Sequence, residues 1–200
     1  MSTVGPGQRY PVKTMRIDDR TFLILPALVF VWMMLGAARV FSPDVGRRDV
    51  RGAGIALSMW GSLAATRFAR VPPRFMQLIG AGGLLLSLAL FQWAAASIRG
   101  RTFSFAGNHD LPQFVHRSGP YAYVRNPFYL SYLLAEIATV LIWPSVWGVV
   151  LLVVMAVYFQ WLTRYEEDKF ARSPVAAEFA AYKASTGRLL PRLRGQRHGS

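Results

Sequence analysis

Cysteine is absent from the 200 residues, so neither a disulfide framework nor a thiolate metal site is available to this chain. Histidine is scarce, and neither His109 nor His116 has a second His or a carboxylate at ligand spacing, so no metal site is assigned. A Ser nucleophile elbow and a phosphate-binding Gly-Lys loop are both missing. Gly80-Ala81-Gly82-Gly83 does not replace them: it lies inside an apolar run, where small residues serve close helix packing. Acids are few, ten against 23 Lys and Arg, for a formal net charge of +13. No basic stripe with interleaved aromatics lies outside the apolar blocks, which excludes nucleic acid as the partner. The basic residues flank those blocks instead, as membrane-surface anchors facing anionic lipid do. Nor do residues 1–20 read as a signal peptide, being polar, with Arg9, Lys13, Arg16 and Arg20 and no small-residue cleavage site after the first apolar run. That run is expected to remain as a span.

What the chain has is long hydrophobic runs, with 53% apolar residues and a mean hydropathy of +0.28. About 20 apolar residues in a helix cross ~30 Å of hydrocarbon. Thr21–Phe41, Gly52–Phe68 and Phe75–Ile98 each make one candidate span, the second being short and rich in Gly, Ala and Ser. Pro72 and Pro73 break the second from the third. The run Phe128–Leu162 is too long for one crossing, and Trp143-Pro144-Ser145 near its middle predicts a tight helical hairpin. Pro144 would then sit in the first turn of the returning helix, with Trp143 and Trp147 at the interface. The expected fold is an all-α membrane bundle of about five transmembrane helices, closed by an amphipathic cytoplasmic helix between Phe170 and Leu190, with Phe170, Phe179 and Tyr182 spaced for it to lie on the membrane. The chain divides into an N-terminal tail (1–20), three spans (21–98), a catalytic region (99–191) and a basic tail (192–200).

Five spans place sixteen of the 23 basic residues on one side and seven on the other. The excess puts the long loop and the C-terminus in the cytoplasm, in a cell inner membrane. A four-span reading, with the second segment at the interface, would move the N-terminus inside.

Two polar segments flank the hairpin on this side. In Gln113–Tyr129, Gly119-Pro120 marks a turn, and Asn126-Pro127 starts a helix with Asn as cap and Pro in first position. Such a helix N-terminus can hold a carboxylate or phosphate; a capped loop entering a helix is the plain alternative. Glu136 is the only acid inside an apolar run and shares a helix face with Tyr129 and Tyr132. It reads as a carboxyl hydrogen-bonded to Ser, Tyr or Gln of a neighbour, such as Gln92, and Tyr129 is the better functional candidate. The second segment, Arg164–Phe170, gathers Glu166, Glu167 and Asp168 in a strongly basic chain. Pairs such as Arg164 with Glu167 or Asp168 would explain them structurally. Acids near a helix C-terminus oppose its dipole, however, and a cationic ligand would explain them functionally. The tail Arg188–Arg197 reads as a polybasic segment meeting anionic lipid.

The run Ser118-Gly-Pro-Tyr-Ala-Tyr-Val-Arg-Asn-Pro-Phe-Tyr-Leu130, followed by the hairpin, Glu166-Glu167, and Tyr182 with Leu190-Pro191, resembles the isoprenylcysteine carboxyl methyltransferase family. Membrane phospholipid methyltransferases share much of this pattern, and the likeness covers about Gln113 to Pro191. The resemblance implies S-adenosylmethionine as methyl donor. It places cofactor contacts at Gln113, Val115, His116, Tyr121, Asn126, Pro127, Tyr129 and Glu166. The candidate catalytic residues are Glu167, the nearest base for an amine acceptor that must first lose a proton, with Tyr129 and Arg125. Asn126 stands where the family usually has His, which makes a proton-shuttle role there unsuitable. His116 replaces a usually apolar residue and Phe179 a common Tyr. Leu162 occupies the position, four before the first Glu, where members often carry Arg.

The expectation is an S-adenosylmethionine-dependent methyltransferase acting on a lipophilic small molecule or lipid-anchored acceptor, carboxylate or amine, among membrane lipids. A sterol-type reductase using NADPH ranks second, since it needs a site for further phosphates in a usually longer chain. A non-enzymatic membrane scaffold ranks third, because it leaves the loop and the acids unexplained.

Overall fold

The computed structural model describes residues 17–40, 50–98 and 111–192. The rest of the N-terminal tail, the Ser42–Gly46 turn, His109 and the basic residues beyond Arg192 lie outside these. Helices α1 (Ile17–Val40), α2 (Val50–Ala65), α3 (Arg74–Ser97), α4 (Pro127–Ile142), α5 (Val146–Ala171) and α6 (Ala176–Ser185) follow one another, with short 3-10 turns at Thr66–Phe68 and Gly119–Ala122. No strand occurs among the described residues, and their isolated β-bridge joins Val124 to Gly187.

Apolar side chains point outward on this bundle. Leu28, Trp32, Leu57, Leu78, Leu85, Val153 and Val157 are all exposed. Arg74–Ser97 and Val146–Ala171 are long and apolar enough to cross a membrane, and only 28% of each apolar window is buried. A core helix of a soluble protein would be mostly buried, so the outward apolar faces mark a membrane protein. The apolar helices Ile24–Arg39 and Pro127–Ile142 are shorter.

Small residues and buried hydroxyls set the helix crossings. The Ser87 hydroxyl of α3 donates to the Ser131 carbonyl of α4 at 2.7 Å. Gly80 of α3 seats the end of α4: a Cβ there would lie 2.5 Å from Ile142 Cγ1 and 2.8 Å from the Ala138 carbonyl oxygen. Backbone cannot give way as a flexible side chain can, so Gly80→Ala should destabilise by about 1–3 kcal/mol. Thermal unfolding in detergent checks this, with Gly82→Ala as control, because a Cβ at Gly82 meets nothing within 4 Å. Equal unfolding temperatures for the two variants would dismiss the crossing as a determinant.

Glu136 is 1% exposed and accepts hydrogen bonds from Ser58 and Ser62, serines of the neighbouring α2, as the expected buried carboxyl does; Gln92 faces outward. The carboxyl therefore fastens the short α2 into the bundle. Two expectations change here, at Trp143 and Pro144. Trp143 is 1% exposed, packed inside rather than anchored at the interface, whereas Trp147 is exposed. Pro144 precedes α5 rather than opening it; Ser145 is the cap, its hydroxyl accepting from the Gly148 N–H at 3.0 Å.

Candidate active site at the polar end of the bundle

An aromatic floor forms where α4 meets α5. Phe159 of α5 is fully buried; Tyr129 of α4 stacks on it with ring centroids 4.9 Å apart, and Tyr132 follows at 6.1 Å. Seven residues after Phe159, two helical turns along the same face, comes Glu166. The Tyr129 phenol donates to Glu166 Oε1 at 2.6 Å, a short bond of the kind an ionised acceptor makes. Thus α4 supplies the hydroxyl, α5 the carboxylate, and the stacked ring fixes both.

The loop before α4 closes one side. Gly119 has φ +61, and a Cβ there would lie 2.7 Å from Ser97 Cβ, so glycine is required twice over. This turn brings Tyr121 inward, buried, with its phenol in electrostatic reach of Glu166. Burial first, then Glu166 and Tyr182, push the Tyr121 phenol well above its ordinary range. His116 meets Tyr121 edge-on at 4.8 Å, and its Nε2 lies 3.0 Å from the Ser118 hydroxyl. His116, Tyr121, Tyr129 and Glu166 therefore form one cluster. Gln113 stands apart, exposed, its amide donating to the Leu111 carbonyl at 3.1 Å. Val115 and Pro127 are respectively half-buried and buried beside the cluster in sequence.

Asn126 does not cap α4 with its side chain. Its amide donates instead to the Arg188 carbonyl at 3.2 Å, as the Asn126 backbone N–H also does at 3.2 Å. No side chain caps the N-terminus that Pro127 opens.

Glu167 and Arg125 play a different part from Glu166. The apolar stretch of α5 ends at Leu162, and Glu167 lies beyond it at the polar end. There its carboxylate meets three cations: Arg125 at 2.9 Å, Arg188 at 2.9 Å and Lys183 at 3.0 Å. Burial raises the Glu167 carboxyl, but the hydrogen bonds from Arg188, Arg125 and Lys183 outweigh it and bring it down to about 2. Arg125 also donates to the Thr186 and Lys183 carbonyls. With the Arg125 N–H on the Gly187 carbonyl at 2.9 Å, these bonds strap residues 186–188 across the loop. Glu167 thus turns to distant cations rather than to Arg164, the expected helical neighbour.

The C-terminal elements also depart from expectation. The apolar face of α6 is spent on protein, with Phe179 and Tyr182 buried and Phe179 stacked on Phe170 at 4.5 Å. The Tyr182 hydroxyl donates to the Tyr121 carbonyl at 2.6 Å. Burial pushes that phenol up to about 12 against the pull of Arg125 and Arg117. Arg188 folds back onto Glu167 instead of reaching for lipid. Nothing local in the sequence separates Arg188 from the other tail arginines, and Lys183 and Phe159 carry no spacing signal either.

At one end of the helical bundle, phenols, a histidine and a carboxylate thus form a single cluster. The phospholipid methyltransferase family model matches residues 75–173, and through this segment the chain belongs to that family of membrane methyltransferases. The match starts at α3, earlier than the motif resemblance, and ends before α6 and the strap. No curated protein matches the chain.

Proposed function

We propose that the chain transfers a methyl group from S-adenosylmethionine to a lipophilic acceptor at the membrane surface. The observation that carries this is the Tyr129–Glu166 pair on its aromatic floor, beside a helix N-terminus that no side chain caps. The cofactor has a cationic sulfonium and ammonium, an anionic carboxylate and a flat base, and the residues suit each part. Glu166 complements a cation, the α4 N-terminus an anion, and Tyr121 with Tyr129 a ring or sulfonium. Bound there, S-adenosylmethionine would supply an electrophilic methyl, taken in line by an acceptor oxygen or nitrogen as the methyl–sulfur bond breaks, with the electron pair leaving on the sulfur of S-adenosylhomocysteine.

The protein's own contribution is positioning and exclusion of water. Tyr129 holds Glu166 at one distance; Phe159 keeps water from beneath. A carboxylate acceptor needs no base, whereas an amine must first lose its proton. Glu167 was the nearest base by sequence, but three cations hold it ionised and make it a weak proton acceptor. Its role is to hold the loop, with Arg125 as the link.

Glu166→Gln should leave the fold intact, because the residue is half-exposed, and weaken cofactor binding by about 1.5–3 kcal/mol. Calorimetry with S-adenosylhomocysteine and with NADPH tests the residue and the function together. Unchanged affinity of the variant removes Glu166 from the site; binding of NADPH alone removes the methyltransferase reading. Labelled methyl transfer into lipid extract then identifies the acceptor.

The proposed topology has five spans in a cell inner membrane, with the C-terminus cytoplasmic and the N-terminus opposite. Protease protection of terminal tags should show opposite sides. Both tags on one side would overturn the five-span count.

A further inference from the structure

The end of the bundle away from this cluster carries a charge that methyl transfer does not use. Arg67, Arg70 and Arg74 are all exposed between α2 and the first turn of α3. The Arg70 N–H donates to the Pro144 carbonyl at 3.1 Å, which fixes this connection to the turn between α4 and α5. Residues 50–98 contain no Asp or Glu, and neither does the facing turn. Phe68, Phe75 and Trp147 are exposed among the arginines, and Leu78 and Ile79 continue the apolar face along α3.

A second observation points to a ligand at the same end. Gln77 Nε2 and Trp143 Nε1 are buried N–H donors with no acceptor among the described residues. Each side chain is only 1% exposed. Gln77 stands one turn into α3 from Arg74, Trp143 directly precedes Pro144, and the Gly80–Ile142 approach presses these two helix ends together. Buried donors without an acceptor are rare and costly, so each calls for a partner that the chain does not supply.

We infer that this end docks the headgroup of an anionic phospholipid from the surrounding bilayer. The arginines take the phosphate, and the exposed aromatic and leucine side chains take the start of the acyl chains. The amide of Gln77 and the indole of Trp143 donate to ester or phosphate oxygens seated between α3 and the α4–α5 turn. Free phosphate lacks acyl chains to use the flanking apolar surface, so the bilayer lipid is the occupant. A basic cluster at the end opposite the C-terminus runs against the usual cytoplasmic bias of Lys and Arg, and such a lipid accounts for it.

Native mass spectrometry of the full chain in neutral detergent, titrated with phosphatidylglycerol or phosphatidylcholine, tests this. The anionic lipid should bind about tenfold or more tightly than the zwitterionic one. Arg67→Gln/Arg70→Gln/Arg74→Gln should bring the two affinities together, while Arg194→Gln/Arg197→Gln should leave the preference intact. Trp143→Phe keeps most of the buried ring and all of the charge, and should still weaken phosphatidylglycerol binding several-fold. Equal binding of the two lipids, a preference that survives the triple substitution, or one lost with the tail substitutions would overturn the proposal. So would displacement by millimolar inorganic phosphate, or a Trp143→Phe chain that binds as the parent does.

Discussion

Tyr129→Phe is expected to lose most methyl transfer while the protein stays folded. The ring remains on Phe159 at its 4.9 Å stacking distance, so only the hydroxyl that donates to Glu166 is removed. A bond to an ionised acceptor contributes about 1.5–3 kcal/mol, or roughly a 10–100-fold loss in kcat/KM when the site depends on it. Truncation to Ala would confuse the result: emptying a buried aromatic position costs about 3–5 kcal/mol of stability. Tyr132 supplies the control. It is buried in the same cluster, 6.1 Å from Phe159 and 6.0 Å from Phe91, yet lies one turn further from the polar end. Tyr132→Phe should keep activity within about threefold, since one neutral hydrogen bond contributes about 1 kcal/mol or less. Measured kcat/KM and unfolding temperature for both variants decide the matter. Equal activity losses that track equal stability losses would make the pair a packing unit and move the site elsewhere.

The contrast between these tyrosines shows how far the chain can be read before it folds. Helical spacing placed Tyr129, Tyr132 and Glu136 on one face of α4, because that periodicity is local and fixed at 3.6 residues per turn. The same local logic located α1, α3 and the break at Trp143–Ser145 to within a few residues, since apolar runs and prolines act where they stand. Partners across the bundle are another matter. Glu136 finds Ser58 and Ser62, more than seventy positions away, and Glu167 finds Arg125, Lys183 and Arg188. Local pairing rules favour Arg164 for Glu167, and nothing in the sequence singles out Ser58 and Ser62 over Gln92 for Glu136, because sequence separation carries no information about which helix faces which. Trp143 misled for a related reason: a tryptophan beside a turn prefers an interface in general, but here the close α3–α4 crossing covers it. Asn126 has a good capping residue's chemistry, yet the strap at Arg188 offers its amide an acceptor that no sequence rule anticipates.

Glu167 should prove to be the residue on which that strap depends. Its side chain is 6% exposed and Arg125 is 7% exposed, so removing the carboxylate's charge leaves a guanidinium with little access to water. Breaking a buried pair costs about 3–5 kcal/mol. Lys183 and Arg188, at 50% and 27% exposure, are screened and add little. Glu167→Gln is therefore expected to destabilise by about 2–4 kcal/mol, far more than Glu166→Gln, although the two acids are adjacent. Activity should fall with it, because the strap holds the loop that carries Tyr121. Acid separates the clamp from a general base. The Glu167 carboxyl is lowered from 4.5 to about 2 in the folded chain, so its stabilisation is complete above 4.5 and disappears as pH falls toward 2. The stability gap between the parent and Glu167→Gln should close over that window and stay constant at neutral pH. Arg125→Gln should reproduce the neutral-pH stability loss without removing any acid, which a base role for Glu167 does not require. A Glu167→Gln protein as stable as its parent, yet with methyl transfer abolished, would return Glu167 to the chemistry and leave the strap without its anchor.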